Sequence, residues 1–218
     1  LVTNKLLKEF CCENGEGLVQ AIAGGARRIE LCDQLALGGL TPQTKTIETV
    51  TRFAHLHQVE VVSIVRLRGG DFIFSDAEKA VMKQQARQAL QAGVDGIVFG
   101  ALTNEGDVDW PFIKELTALS GDRQAVFHMA FDQLSREVQM EAVKNLAAAG
   151  ISRLLTRGGL SGTALEHADW INQLIKAAGS EMHILPGGGI HYANLLEASR
   201  LIHADQFHGT RIIKFVSK

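Results

Sequence analysis

Cysteine, proline and charge imbalance are all scarce in this chain. Three cysteines in 218 residues, two of them adjacent as Cys11-Cys12, cannot build a disulfide framework. In a reducing compartment they read as free thiols or metal ligands. With three prolines and no Pro/Ser-rich or low-complexity stretch, nothing divides the chain, so residues 1–218 read as a single domain. A formal net charge of -2, with both signs scattered, leaves no electrostatic footprint for nucleic acid or for an anionic membrane surface. No apolar run is long enough to span a bilayer, and Leu1-Val2-Thr3-Asn4-Lys5 lacks a signal-peptide core, so a cytoplasmic location is expected.

What is present is a repeated unit of apolar strand, turn and helix. Apolar runs near 5–12, 27–32, 60–66, 95–100, 124–129, 152–157, 182–186 and 206–211 read as strands, and the stretches between them as helices. Ala23-Gly24, Ala92-Gly93, Ala149-Gly150 and Ala178-Gly179 each offer a glycine that ends a helix in the left-handed conformation. Ser75 with Glu78 forms a capping box ahead of Val81, Met82, Ala86, Ala89 and Leu90, which share one side of a helix. Eight such units favour a small (β/α)8 TIM-type barrel over an open doubly wound sheet. The open sheet would want a Gly-x-Gly-x-x-Gly loop after the first strand, where this chain has Cys12-Glu13-Asn14-Gly15-Glu16-Gly17. Few residues follow Arg211, so the eighth helix is expected to be short or missing. That leaves one face underdressed and motivates a homo-oligomer there.

Several strands end in chemistry. Alternate residues of a barrel strand point inward, so Glu9 shares a face with Cys11, Glu30 with Cys32, Ile64 with Arg66, and Val126 with His128. Pointed inward, these side chains converge on the C-terminal end of the barrel, where barrel active sites lie. A structural Glu30–Arg66 ion pair is the bland reading of one pair, but burying all of these groups costs stability that function can justify.

Glu9-Phe10-Cys11-Cys12, Arg28-Ile29-Glu30-Leu31-Cys32, Gly38-Gly39-Leu40-Thr41-Pro42, Arg66-Leu67-Arg68-Gly69-Gly70-Asp71-Phe72 and Phe127-His128-Met129-Ala130-Phe131-Asp132 together resemble the CutC copper homeostasis family. Leu154-Leu155-Thr156 and Pro186-Gly187-Gly188-Gly189-Ile190 extend the resemblance, which runs from about residue 6 to 210. It implies a cytoplasmic (β/α)8 barrel linked to copper tolerance and trafficking, with Cu(I) ligated by Cys11 and Cys32. Thiolates favour Cu(I), and Cys12 faces the other side of its strand. The chain departs from the family pattern at Met129, where arginine is expected, and at Arg157, where serine is expected. The remaining histidines, His55, His57, His167, His183, His191 and His203, show no ligand spacing, and no organic cofactor is indicated.

A second reading is a barrel enzyme of the isomerase, aldolase or lyase type, acting on a small phosphorylated or carboxylated metabolite. Gly187, Gly188 and Gly189 end the seventh strand and His208-Gly209 the eighth, where barrels bind phosphate through backbone N–H groups. Arg66 and Arg68 would hold the anion. Glu30 would be the general base or acid and His128 its proton-transfer partner, while Glu9 would tune them or hold Arg66. Asp71 is expected to order the arginine loop. The residues alone leave copper binding, catalysis and a purely assembling role open.

Overall fold

The computed structural model describes residues 6–215. Eight strands alternate with seven helices among them: β1 (Leu7–Glu13), α1 (Leu18–Ala23), β2 (Arg28–Cys32), α2 (Thr44–Leu56), β3 (Glu60–Ile64), α3 (Asp76–Gln91), β4 (Gly96–Phe99), α4 (Trp110–Ser120), β5 (Gln124–Phe127), α5 (Arg136–Ala148), β6 (Arg153–Thr156), α6 (Ala168–Ala178), β7 (His183–Pro186), α7 (Leu195–Leu201) and β8 (Gln206–Gly209). All ladders are parallel, in the order β7-β6-β5-β4-β3-β2-β1-β8. β7 and β8 meet without a ladder of their own, and a bridge between His191 and Arg211 ties the segments beyond them. The result is a nearly closed eight-stranded barrel.

Strand parity divides the interior in two. Cys12, Ile29, Leu31, Val61, Ile97 and Phe127 point outward into a core shared with the helices, as strands buried on both faces require. Cys11, Cys32, Val62, Ile64, Val98 and Val126 point inward and form a small core inside the barrel. The helices seat on the outside through amphipathic faces. In α3 the capping box forms as expected, and Met82, Ala86 and Ala89 are buried, but Val81 is 41% exposed and lies off the packed face.

Two expectations need correction. Gly93, Gly150 and Gly179 take positive φ, but after α1 it is Gly25 that does so (φ 93°), while Gly24 has φ -81°. Gly24 is needed for another reason, because a Cβ there would collide with Ile213. The second concerns the face left without an eighth helix. Among the described residues no helix follows β8, but Ile212 and Ile213 are buried there, and Phe215 stacks on Phe10 with ring centroids 5.7 Å apart. An extended segment covers part of what a helix would have covered.

Candidate functional site

Cys11 and Cys32 lie on adjacent strands whose register sets Cys11 opposite Glu30 and Glu13 opposite Cys32. The diagonal offset brings the two Sγ atoms to 4.0 Å, and both thiols are buried and free. The contact with Cys32, burial and the nearby Glu30 carboxylate push the Cys11 thiol well above its ordinary pKa, so Cys11 is held as a thiol. Cys12 takes no part. It sits in the outer core, donates to the Glu16 carbonyl at 3.3 Å, and is pushed up to about 12 by burial.

Below the thiols runs a buried polar chain. Glu9 on β1 stands between Arg28 on β2 and His208 on β8, because its register partners are those two residues. One carboxylate oxygen accepts from Arg28 Nε, and the other pairs with His208 Nδ1 at 2.8 Å. Arg28 also donates to Gln206 Oε1 at 2.7 Å. Burial alone would raise the Glu9 pKa, but the Arg28 and His208 charges outweigh it and hold the group well below the carboxylate range. On its other side His208 Nε2 lies 3.5 Å from Glu30. Burial raises the pKa of Glu30, while the Glu30 and Glu9 charges overcome burial and raise that of His208. Glu30, Cys11 and His208 offer ligand atoms within 4.8 Å of one another.

The arginines part company at the end of β3. Arg66 is buried, donates to the carbonyls of Leu37 (3.0 Å) and Gly70 (2.9 Å), and lies over the Phe72 ring at 4.6 Å. Arg68 turns outward to Glu78 (2.6 Å), Asp71 (3.1 Å) and the Ile73 carbonyl (2.7 Å), which orders the loop into α3. Asp71 orders that loop as expected. His128 ends β5, where Gly100 makes room for its ring, and its Nδ1 accepts from Ala130 N–H at 3.1 Å. Burial and the Arg66 charge push its pKa down to about 3. Asp132, in the short 3-10 segment that follows (Met129–Gln133), holds the β6 loop by accepting from Arg157 N at 2.9 Å and Gly158 N at 3.3 Å.

A cavity of about 270 Å³ opens at this end of the barrel. Cys11, Cys32, Glu30, His208, Arg66, His128, Gly188 and Gly209 all line it, together with Met129 and Arg157. Four expected site residues do not. Glu9 lies beneath the cavity, bound to Arg28 and His208 rather than to Arg66. Arg68 points away because three acceptors hold it in the loop. Gly187 spends its N–H on the Thr156 carbonyl at 3.0 Å, and Gly189 packs against Thr163. No hydrogen bond joins Glu30 to His128 among the described residues, and the imidazole beside Glu30 is His208. The expected Glu30–Arg66 pair is likewise absent among them. Arg28, Arg153, Gln206 and Asp132 escaped sequence reasoning, although Arg28 shares the inward parity of Glu30 and could have been found by it.

The CutC family model matches residues 6–213. The chain belongs to the CutC family. It is 43% identical over 209 residues to a CutC family protein of Enterococcus faecalis, covering 95% of this chain and all of that one. It is 39% identical over 205 residues to a human protein named copper homeostasis protein cutC homolog, covering 94% of this chain and 73% of that one. The solved structure of CutC from Streptococcus agalactiae superposes with a TM-score of 0.91 at 32% identity, covering 95% of this chain and 99% of that one. A deoxyribose phosphate aldolase from Aeropyrum pernix reaches 0.70 at 13% identity, covering 97% and 87%, which shows a shared barrel fold and nothing more.

Proposed function

We propose that this CutC family member serves copper homeostasis by holding Cu(I) between Cys11 and Cys32. The observation that carries the reading is the 4.0 Å separation of two free thiols on the wall of an open cavity. Bonds of about 2.3 Å from each sulfur to one ion span such a gap. Soft thiolates select Cu(I), and low coordination suits a site that must also release its ion. Glu30 lies close enough to Cys11 to accept its proton as the metal displaces it. Free thiols at this position also fit a reducing, cytoplasmic setting. The test is an anaerobic Cu(I) titration against a competing chelator, with the Cys11→Ser, Cys32→Ser double variant alongside. Stoichiometric binding lost in the variant is expected, and failure of the wild type to compete would overturn the reading.

One observation favours a second reading, a barrel enzyme of isomerase, aldolase or lyase type acting on a small phosphorylated or carboxylated metabolite. His208 bridges Glu9 at 2.8 Å and Glu30 at 3.5 Å, a chain able to pass a proton to the cavity wall. A Glu30 with a raised pKa can serve as acid or base. Exchange of carbon-bound protons of added pyruvate in D2O, lost in Glu30→Gln, is its measurement. No exchange above the protein-free rate would remove its support.

A further inference from the structure

The cavity has a second wall, opposite in chemistry to the thiol side. Arg66 ends β3, His128 ends β5 and Arg157 follows β6, and all three line the cavity. Each carries one buried nitrogen that finds no hydrogen-bond partner among the described residues: Arg66 Nε, His128 Nε2 and Arg157 Nε. Buried polar atoms are satisfied in the great majority of cases, so three orphans on one cavity wall call for a common explanation.

All three are donors. An arginine Nε always carries a proton. His128 accepts from Ala130 N–H through Nδ1, so a neutral ring bears its proton on Nε2. Neutrality follows from its burial and from the adjacent Arg66 charge. These three side chains therefore bring unpartnered N–H groups, two of them on guanidinium cations, to one side of the cavity, which suits an anion rather than a metal.

We propose that the Arg66, His128 and Arg157 wall binds a small organic carboxylate, with an adjacent carbonyl or hydroxyl oxygen on His128 Nε2–H. A carboxylate fits better than a phosphate. Gly187 N–H is committed to Thr156, and both terminal nitrogens of Arg66 already donate to backbone carbonyls, so the Arg66 fork and one N–H of the glycine run are taken before a phosphate could use them. Three separate single donors suit two or three separate oxygens. Phe72 lies against both Arg66 and His128, the latter with ring centroids 5.0 Å apart, and gives this side of the cavity an apolar surface beside the donors. The proposal names the ligand class of the second reading and rests on it for the cavity being a small-molecule site, but it requires neither turnover nor the thiols.

The experiment is calorimetric titration of the metal-free, reduced full chain with pyruvate, with inorganic phosphate and with acetamide. His128→Asn is the informative variant, because its Oδ1 can replace Nδ1 as acceptor for Ala130 while the Nε2 donor is lost. Saturable pyruvate binding, weakened tenfold or more in His128→Asn, with phosphate weaker and acetamide silent, is expected. Absence of saturable pyruvate binding in the millimolar range, unchanged affinity in a folded His128→Asn, or tighter binding of phosphate than pyruvate would each overturn it. If His128→Asn fails to fold, the wild-type Nε2–H resonance decides. It shifts on addition of pyruvate if the proposal holds, and stays put if it does not. Binding without proton exchange would sink the catalytic reading alone.

Discussion

Replacing Glu9 by glutamine is the sharpest test of the barrel interior, because the change is nearly isosteric and removes only charge. Glu9 and Arg28 are each 2% exposed, and His208 is buried on the other side of the carboxylate. In Glu9→Gln the Arg28 guanidinium keeps Gln206 as a neutral acceptor, but no buried carboxylate faces it from β1. Charge-assisted hydrogen bonds contribute about 1.5–3 kcal/mol each, and two are weakened here. Breaking a buried pair by removing one partner costs about 3–5 kcal/mol in comparable systems. Against a total stability of about 5–15 kcal/mol, a loss of about 3 kcal/mol is expected, or about 10 °C in melting temperature for a domain of this length. Urea unfolding at neutral pH, with the slope checked for two-state behaviour, is the assay. The pH dependence gives an independent check. A carboxylate held well below its unfolded value of 4.5 contributes stability above that value and loses it as pH falls. The variant should therefore show a shallower acid limb than the wild type. A loss under about 1 kcal/mol with unchanged acid slope would refute the view that Glu9 organises the floor.

Two further perturbations bear on the cavity wall. His128 is neutral when folded, with its pKa moved from 6.5 to about 3, so the unfolded chain binds the extra proton between those values. Wild-type stability should fall with decreasing pH below about 6.5 more steeply than that of His128→Asn, by up to about 1.4 kcal/mol per pH unit, and parallel curves would reject the buried neutral ring. Gly38 has φ 87°, and a Cβ there would lie 2.8 Å from Arg66 Nη1. Gly38→Ala should cost about 1 kcal/mol or more in urea unfolding and displace Arg66, and an unaffected stability would show that the loop has room to relax.

Most of the fold was legible because two signals agreed along the whole chain. Apolar runs of strand length and amphipathic helical stretches alternate, and a parallel barrel is the architecture that buries both faces of every strand. The capping box at Ser75 and the inward parity of Cys11, Cys32 and His128 followed from local rules that need no knowledge of neighbours. What local rules do not contain is occupancy by competitors. Gly24 looks like a helix-ending glycine until Ile213 arrives beside it, and Val81 looks buried until the exact rotation of α3 is known. Arg68 sits in the same sequence motif as Arg66, but three acceptors in its own loop hold it outside.

The site was misread where height along the barrel mattered more than the face a side chain occupies. Parity places Glu9 and Arg66 both inside, which suggested a pair. The ladders set Glu9 level with Arg28, and Arg28 level with Glu60, so Arg66 lies about 20 Å further along its strand direction. Glu9 therefore belongs to a floor of buried ion pairs, and Arg66 to the rim. The same reasoning separates the upper cavity into two walls. β1, β2 and β8 are contiguous in the sheet and bring thiols, Glu30 and His208 together, whereas β5 and β6 lie across the barrel and, with β3 beside β2, bring the unpartnered donors. A copper site has no use for the second wall, and a carboxylate site has none for the thiols. Both walls line the same cavity.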